Sequence, residues 1–120
     1  MKASRLLVAT VLLTGCSSVP GSVDVGEIAG LWQFPNREVW IQIDSDGSAF
    51  QCRVARDDNL IVSKGRFTEP NSIVWEHEWG TDLVHVVTDG IILDGEYGEF
   101  MFAKATDPMS FPCAAALAAA

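Results

Sequence analysis

Positive charge is scarce in this sequence. Of 120 residues, eight are Lys or Arg and sixteen are Asp or Glu, a formal net charge of −8. Nothing here would neutralise a run of phosphates, which excludes nucleic acid as a partner. Histidine is scarcer still, with two residues, His77 and His85. The three cysteines form no CxxC pair, and neither a Gly-x-Ser-x-Gly elbow nor a phosphate-binding glycine loop occurs. The carboxylates stand in no recognisable catalytic motif, so the sequence reads as a non-enzyme and implies no cofactor. No apolar stretch in the leader is long enough to span a bilayer: Leu6–Leu13 falls far short of the roughly 20 residues a membrane helix needs. What is abundant is apolar residues, at 48%, which excludes wholesale disorder, in a chain long enough for one domain at most.

The N-terminus has the layout of a signal peptide. Lys2 and Arg5 precede the apolar stretch, and small residues follow it. Leu13-Thr14-Gly15-Cys16 resembles the lipobox of bacterial lipoproteins. That resemblance implies cleavage after Gly15, a thioether-linked diacylglycerol on Cys16 and acylation of the new amine, which would hold the chain durably on a lipid bilayer. Ser17 stands where the inner-membrane retention signal of enterobacterial lipoproteins has Asp. By the same analogy the protein is anchored in the outer membrane, facing the periplasm. Removing residues 1–15 leaves six basic against sixteen acidic side chains.

Four regions follow: a signal peptide at 1–15, the lipidated cysteine and a flexible tether at 16–28, a small all-β domain at 29–106, and a C-terminal tail at 107–120. Cys52 and Cys113 remain as an even pair, which in an oxidising compartment reads as one disulfide; two buried free thiols are the alternative. Closing that loop would stabilise the fold by roughly 4 kcal/mol in the chain-entropy model.

Within 29–106, β-rich runs alternate with Gly, Pro, Asn and Asp clusters, the pattern of an antiparallel meander. Expected strands are 30–34, 39–44, 48–56, 60–67, 72–79, 83–88, 91–93 and 99–104. About eight such strands close into a small barrel or fold as a two-layer sandwich, with an interior filled mostly by side chains and no roomy cavity. Period-two reading puts Val39, Ile41 and Ile43 on one face, opposite Trp40, Gln42 and Asp44. It puts Phe50, Cys52 and Val54 inside and Gln51, Arg53 and Ala55 outside. Ile73, Trp75, His77 and Trp79 share a face, and Phe100 and Phe102 point in. Asp44-Ser45-Asp46-Gly47 reads as a hairpin turn, since the last ligand of a calcium loop would fall on Ala55.

Gly30-Leu31-Trp32 resembles the opening Gly-x-Trp of lipocalins and related calycins. In that family the glycine starts the first strand and the tryptophan plugs the closed end of a barrel. Thr81-Asp82 weakly resembles a second lipocalin motif, with Leu83 in place of its tyrosine. No arginine stands near the end of the last strand, where a third motif would put one. The resemblance implies a carrier of a small apolar ligand or haem, with Trp75, His77 and Trp79 lining the interior.

Candidate binding residues are therefore Trp40, Trp75, His77 and Trp79. Trp40 either is exposed, as aromatics at binding hot spots are, or packs under the tether or tail. His77 and His85 face each other as weak metal ligands if the hairpin loop is Gly80-Thr81-Asp82, and point apart if it is Gly80-Thr81. The tail reads as an extended Asp107–Pro112 segment followed by Ala114–Ala120, too short to hold a helix alone. It is a frayed end or an apolar strip for a partner, pinned at Cys113. Two functions fit: an interaction module whose acidic surface attracts a basic envelope protein, or the lipocalin-like carrier.

Overall fold

The computed structural model describes residues 21–120; the signal peptide expected at 1–15 and the expected lipidation site Cys16 lie outside the described residues. After a short helix, α1 (Val25–Ile28), eight antiparallel strands follow in order: β1 (Gly30–Gln33), β2 (Val39–Ile43), β3 (Ser48–Val54), β4 (Leu60–Thr68), β5 (Ser72–Trp75), β6 (Thr81–Val87), β7 (Gly90–Gly95) and β8 (Gly98–Lys104). Each pairs with the next, and β8 returns to β1 through Trp32↔Lys104 and Gln33↔Ala103. The sheet is a closed barrel rather than a sandwich. Closure leaves no strand edge unpaired, a stable solution for a meander of this length. A second helix, α2 (Phe111–Ala119), ends the chain.

Alternation fills the barrel. Trp32, Ile41, Ile43, Ala49, Ile73, Trp75, Val84, Ile91, Leu93 and Phe102 are buried in one cluster together with Val23 and Ile28. Val23 and Ile28, expected in the flexible tether, belong to this core, and Val25 packs against it. Asp24 caps α1 with a reciprocal capping box to Glu27, Val23 N–H donates to the Pro70 carbonyl, and Ile28 is fully buried. A capped turn can hold where tether composition suggests slack, because the cap satisfies two otherwise orphan donors.

A second apolar cluster lies on the outer face of the sheet. Trp40, Phe50 and Cys52 point out of the barrel and are covered by Met109, Cys113, Ala116 and Leu117. Cys52 and Cys113 form a disulfide, with Cα atoms 5.8 Å apart and 61 residues of separation. The tail is therefore a helix docked on its own barrel. Ser110 stands at the N-cap position without a side-chain capping bond, Pro112 sits in the first turn, and the covalent tie plus burial supply what nine residues lack on their own.

The outer cluster decides one expectation and corrects another. Of the two places open to Trp40, exposed or packed beneath the tail, it takes the second and is 5% exposed. The faces of β3 are reversed: Ala49, Gln51 and Arg53 pair across from Ile43, Ile41 and Val39 on the inward side, and Phe50, Cys52 and Val54 lie outward. Period two fixes which residues share a face, not which face is inside. With α2 covering the outside, the apolar row of β3 is the outer one.

Strand β5 is shorter than expected. It ends at Trp75, and His77–Trp79 form a single 3-10 turn with His77 at a φ of 62°. The ladder between β5 and β6 pairs Ser72 with Leu83 and Val74 with Thr81. His77 thus falls outside the ladder, while His85 pairs with Ile92 of β7. Neither hairpin register considered for the histidines occurs, and the shared face ends at Trp75.

Candidate functional site

The two ends of the barrel are built differently. At one end, Gly30 starts β1 with a φ of 137°, and Trp32 lies across the interior. Its Nε1–H donates to the Ile28 carbonyl at 2.8 Å, so the only polar atom of the buried ring is satisfied by the helix that seals that end. Lys104, directly opposite Trp32 on β8, places its ammonium 4.7 Å from the ring centroid and donates to the Ala29 carbonyl at 3.3 Å. A cation over an indole face adds about 0.5–1 kcal/mol at an exposed site. The cation missing from the sequence as an arginine is present as a lysine.

The far end has no such plug. Here β1–β2, β3–β4, β5–β6 and β7–β8 turn, and the inward rows finish in mixed chemistry. Phe34, Phe100 and Phe102 form an edge-to-face trio, with Phe34 5.6 Å from Phe102 and 6.2 Å from Phe100 between centroids. Together with Arg37, Gln51 and Arg53 they line a cleft of about 280 Å³. A second cleft of about 520 Å³ adjoins it, sharing Gln51, Arg53, Asp82 and Phe100, and adds Trp75, Trp79, Glu96 and Tyr97. The lower interior is packed, as expected, but the mouth has more room than the sequence suggested. Ligand pockets usually start near 300 Å³.

Two glycines make this mouth possible. Gly65 stands opposite Trp75 across β4–β5, and a Cβ there would come within 2.6 Å of the indole and 2.8 Å of the Val74 carbonyl oxygen. The ring lies in the space a side chain would take. Trp75 then donates from Nε1 to the Asp82 carboxylate at 2.8 Å. Gly95 leaves the space that carboxylate occupies. Asp82 is half-buried, and its bond to Trp75 ties β6 to β5 at the mouth.

Of the sequence-derived candidates, the structure brings Trp75 and Trp79 to the mouth and leaves the others elsewhere. Trp40 is under α2. His77 is exposed on the turn after β5, so it does not line the interior and offers haem no ligand there. His85 is exposed on the outer face of β6, with Nε2 3.9 Å from Asp94. Among the described residues no three His, Cys, Asp or Glu side chains gather to hold a metal ion. Asp46 serves its turn: it accepts from the Ser48 N–H at 2.8 Å, and that bond holds its carboxyl below the usual range.

Gln51, Arg53, Asp82, Phe34 and Tyr97 were missed as site residues. A signal for the first two was present. Carrying the Ile41–Ile43 face through the Ser45-Asp46-Gly47 turn onto β3 lands on Ala49, Gln51 and Arg53.

No family model matches the chain, and no curated protein matches it. Among solved structures, a crystal structure of a lipocalin-like protein from Bacteroides uniformis superposes with a TM-score of 0.51 at 18% identity, covering 67% of this chain and 100% of that one. The fold is lipocalin-like. The eight-stranded closed barrel, the Gly30-Leu31-Trp32 opening and the plugged end all agree with that architecture. In lipocalin-like terms Trp32 marks the closed end, and the clefts around Phe100 and Arg53 are the mouth of the cup.

Proposed function

We propose that this chain is a binding barrel, held on the outer membrane by acylated Cys16, that takes a small, partly apolar molecule at its open end. The observation that carries this reading is the unsealed mouth, where six aromatic rings and two arginines surround joined clefts while the opposite end is closed by Trp32. Convergence of apolar walls with a few polar groups is the usual anatomy of a small-molecule site. The lipocalin-like fold is in keeping with it. Trp75 and Trp79 serve as walls of the mouth, and the haem version loses its histidine because His77 is outside the cup.

The interaction reading loses Trp40 as its hot spot but keeps the acidic surface, which would speed encounter with a basic envelope protein. Native mass spectrometry of the exported chain, with Cys16→Ser to release it from the membrane, separates the two. A stoichiometric small-molecule adduct is expected, and Phe100→Glu removes it. A bare chain that instead retains a protein partner in a periplasmic pull-down would replace the carrier by the interaction module.

A further inference from the structure

We infer that the mouth selects acids: molecules with one carboxylate on an aromatic or similarly flat apolar body, the carboxylate held by Arg53 with Arg37 beside it. This rests on the mouth being the ligand site, and adds what kind of ligand it discriminates.

Charge distribution is the first reason. Residues 21–120 carry six Lys or Arg against sixteen Asp or Glu, so the protein as a whole repels anions. Yet two of those six cations, Arg37 and Arg53, line one cleft with Phe34, Phe100 and Phe102. Arg53 is exposed, yet it continues the inward row of Ala49 and Gln51 on β3 rather than the outer one. It therefore stands at the open rim, reaching water while lining the cleft with the aromatic rings.

The second reason is that neither guanidinium has its charge answered. Among the described residues, Arg37 and Arg53 make no ion pair. The one carboxylate lining that cleft, Asp82, is engaged with the Trp75 indole N–H. Arg37 is held at the rim by its backbone, which donates to the Phe34 carbonyl at 3.1 Å while its own carbonyl accepts from Gln33 at 2.8 Å. A planar guanidinium fork presents parallel donors that match a carboxylate, and the nearby rings give the rest of the ligand an apolar seat. Asp82 works in the opposite sense: it excludes a second anion from the larger cleft and so limits the ligand to one acidic group.

Isothermal titration calorimetry of the exported Cys16→Ser chain tests this with a matched pair, 2-naphthoate and 2-naphthamide, which share shape and differ in charge. The acid is expected to bind with one-to-one stoichiometry, at least tenfold tighter than the amide, and to weaken as salt rises while the amide does not. Arg53→Gln erases the difference, Arg53→Lys restores part of it, and Arg56→Gln, outside both clefts, leaves it intact. Near-UV circular dichroism establishes that each variant is folded. Equal binding of acid and amide, unchanged by Arg53→Gln, overturns acid selection and leaves the mouth as the ligand site. Binding of neither overturns both.

Discussion

One end of this barrel is solved by packing and the other is left to chemistry. At the closed end, Trp32 meets Ile28, its N–H is satisfied by a carbonyl, and Lys104 covers its face. At the mouth, the same inward rows end in Gln51, Arg53 and Asp82, and the rings among them border open clefts. Both ends are made by the same eight strands, so the difference is one of side chains. A barrel this small is stabilised from one end and leaves the other open.

Three substitutions would break or sharpen that contrast. Trp32→Ala should be the most damaging, costing about 3–5 kcal/mol, because a large buried ring leaves a cavity at the only plug. A denaturant midpoint with unchanged slope would show it, and any loss of ligand affinity should follow stability alone. Gly65→Ala lies between the two regimes. The added methyl must displace Trp75 or the backbone of β5, at about 1–3 kcal/mol, and here affinity should fall further than stability does, since Trp75 also holds Asp82. If binding survives in proportion to folding, Trp75 is only packing. Lys104→Met is the mildest, at about 0.5–1 kcal/mol by thermal unfolding. It should leave the mouth untouched, and Lys104→Arg should recover the loss.

The closed end was the more legible of the two. Gly30-Leu31-Trp32 and the alternation of Ile41 and Ile43 yield to a period of two and to turn chemistry, whereas at the mouth only the inward Phe100 and Phe102 did. The Cys52–Cys113 bond was also readable, from the even count left once Cys16 is set aside. What escaped were facts about which side of a strand is covered. Trp40 and Phe50 look like an exposed and a buried residue until α2 is placed; then both are buried, on the outer wall. The mouth was illegible for the same reason. Gln51 and Arg53 are polar, and polar residues on a strand are read as solvent-facing unless the register of the neighbouring strand is carried across. His77 misled because the alternation of Ile73 and Trp75 continues on paper through a turn that, in the fold, leaves the sheet at Glu76.

The disulfide has a consequence in time as well as in space. Cys52 lies on the third strand and Cys113 beyond the eighth. A chain emerging N-terminus first therefore presents the earlier thiol with its native partner still unmade. Only when every strand has been delivered can the bond close and the last helix settle over Trp40. Oxidation of this pair is thus a signature of a finished barrel, and a chain cut short before residue 113 would keep a free thiol beside a bare apolar wall.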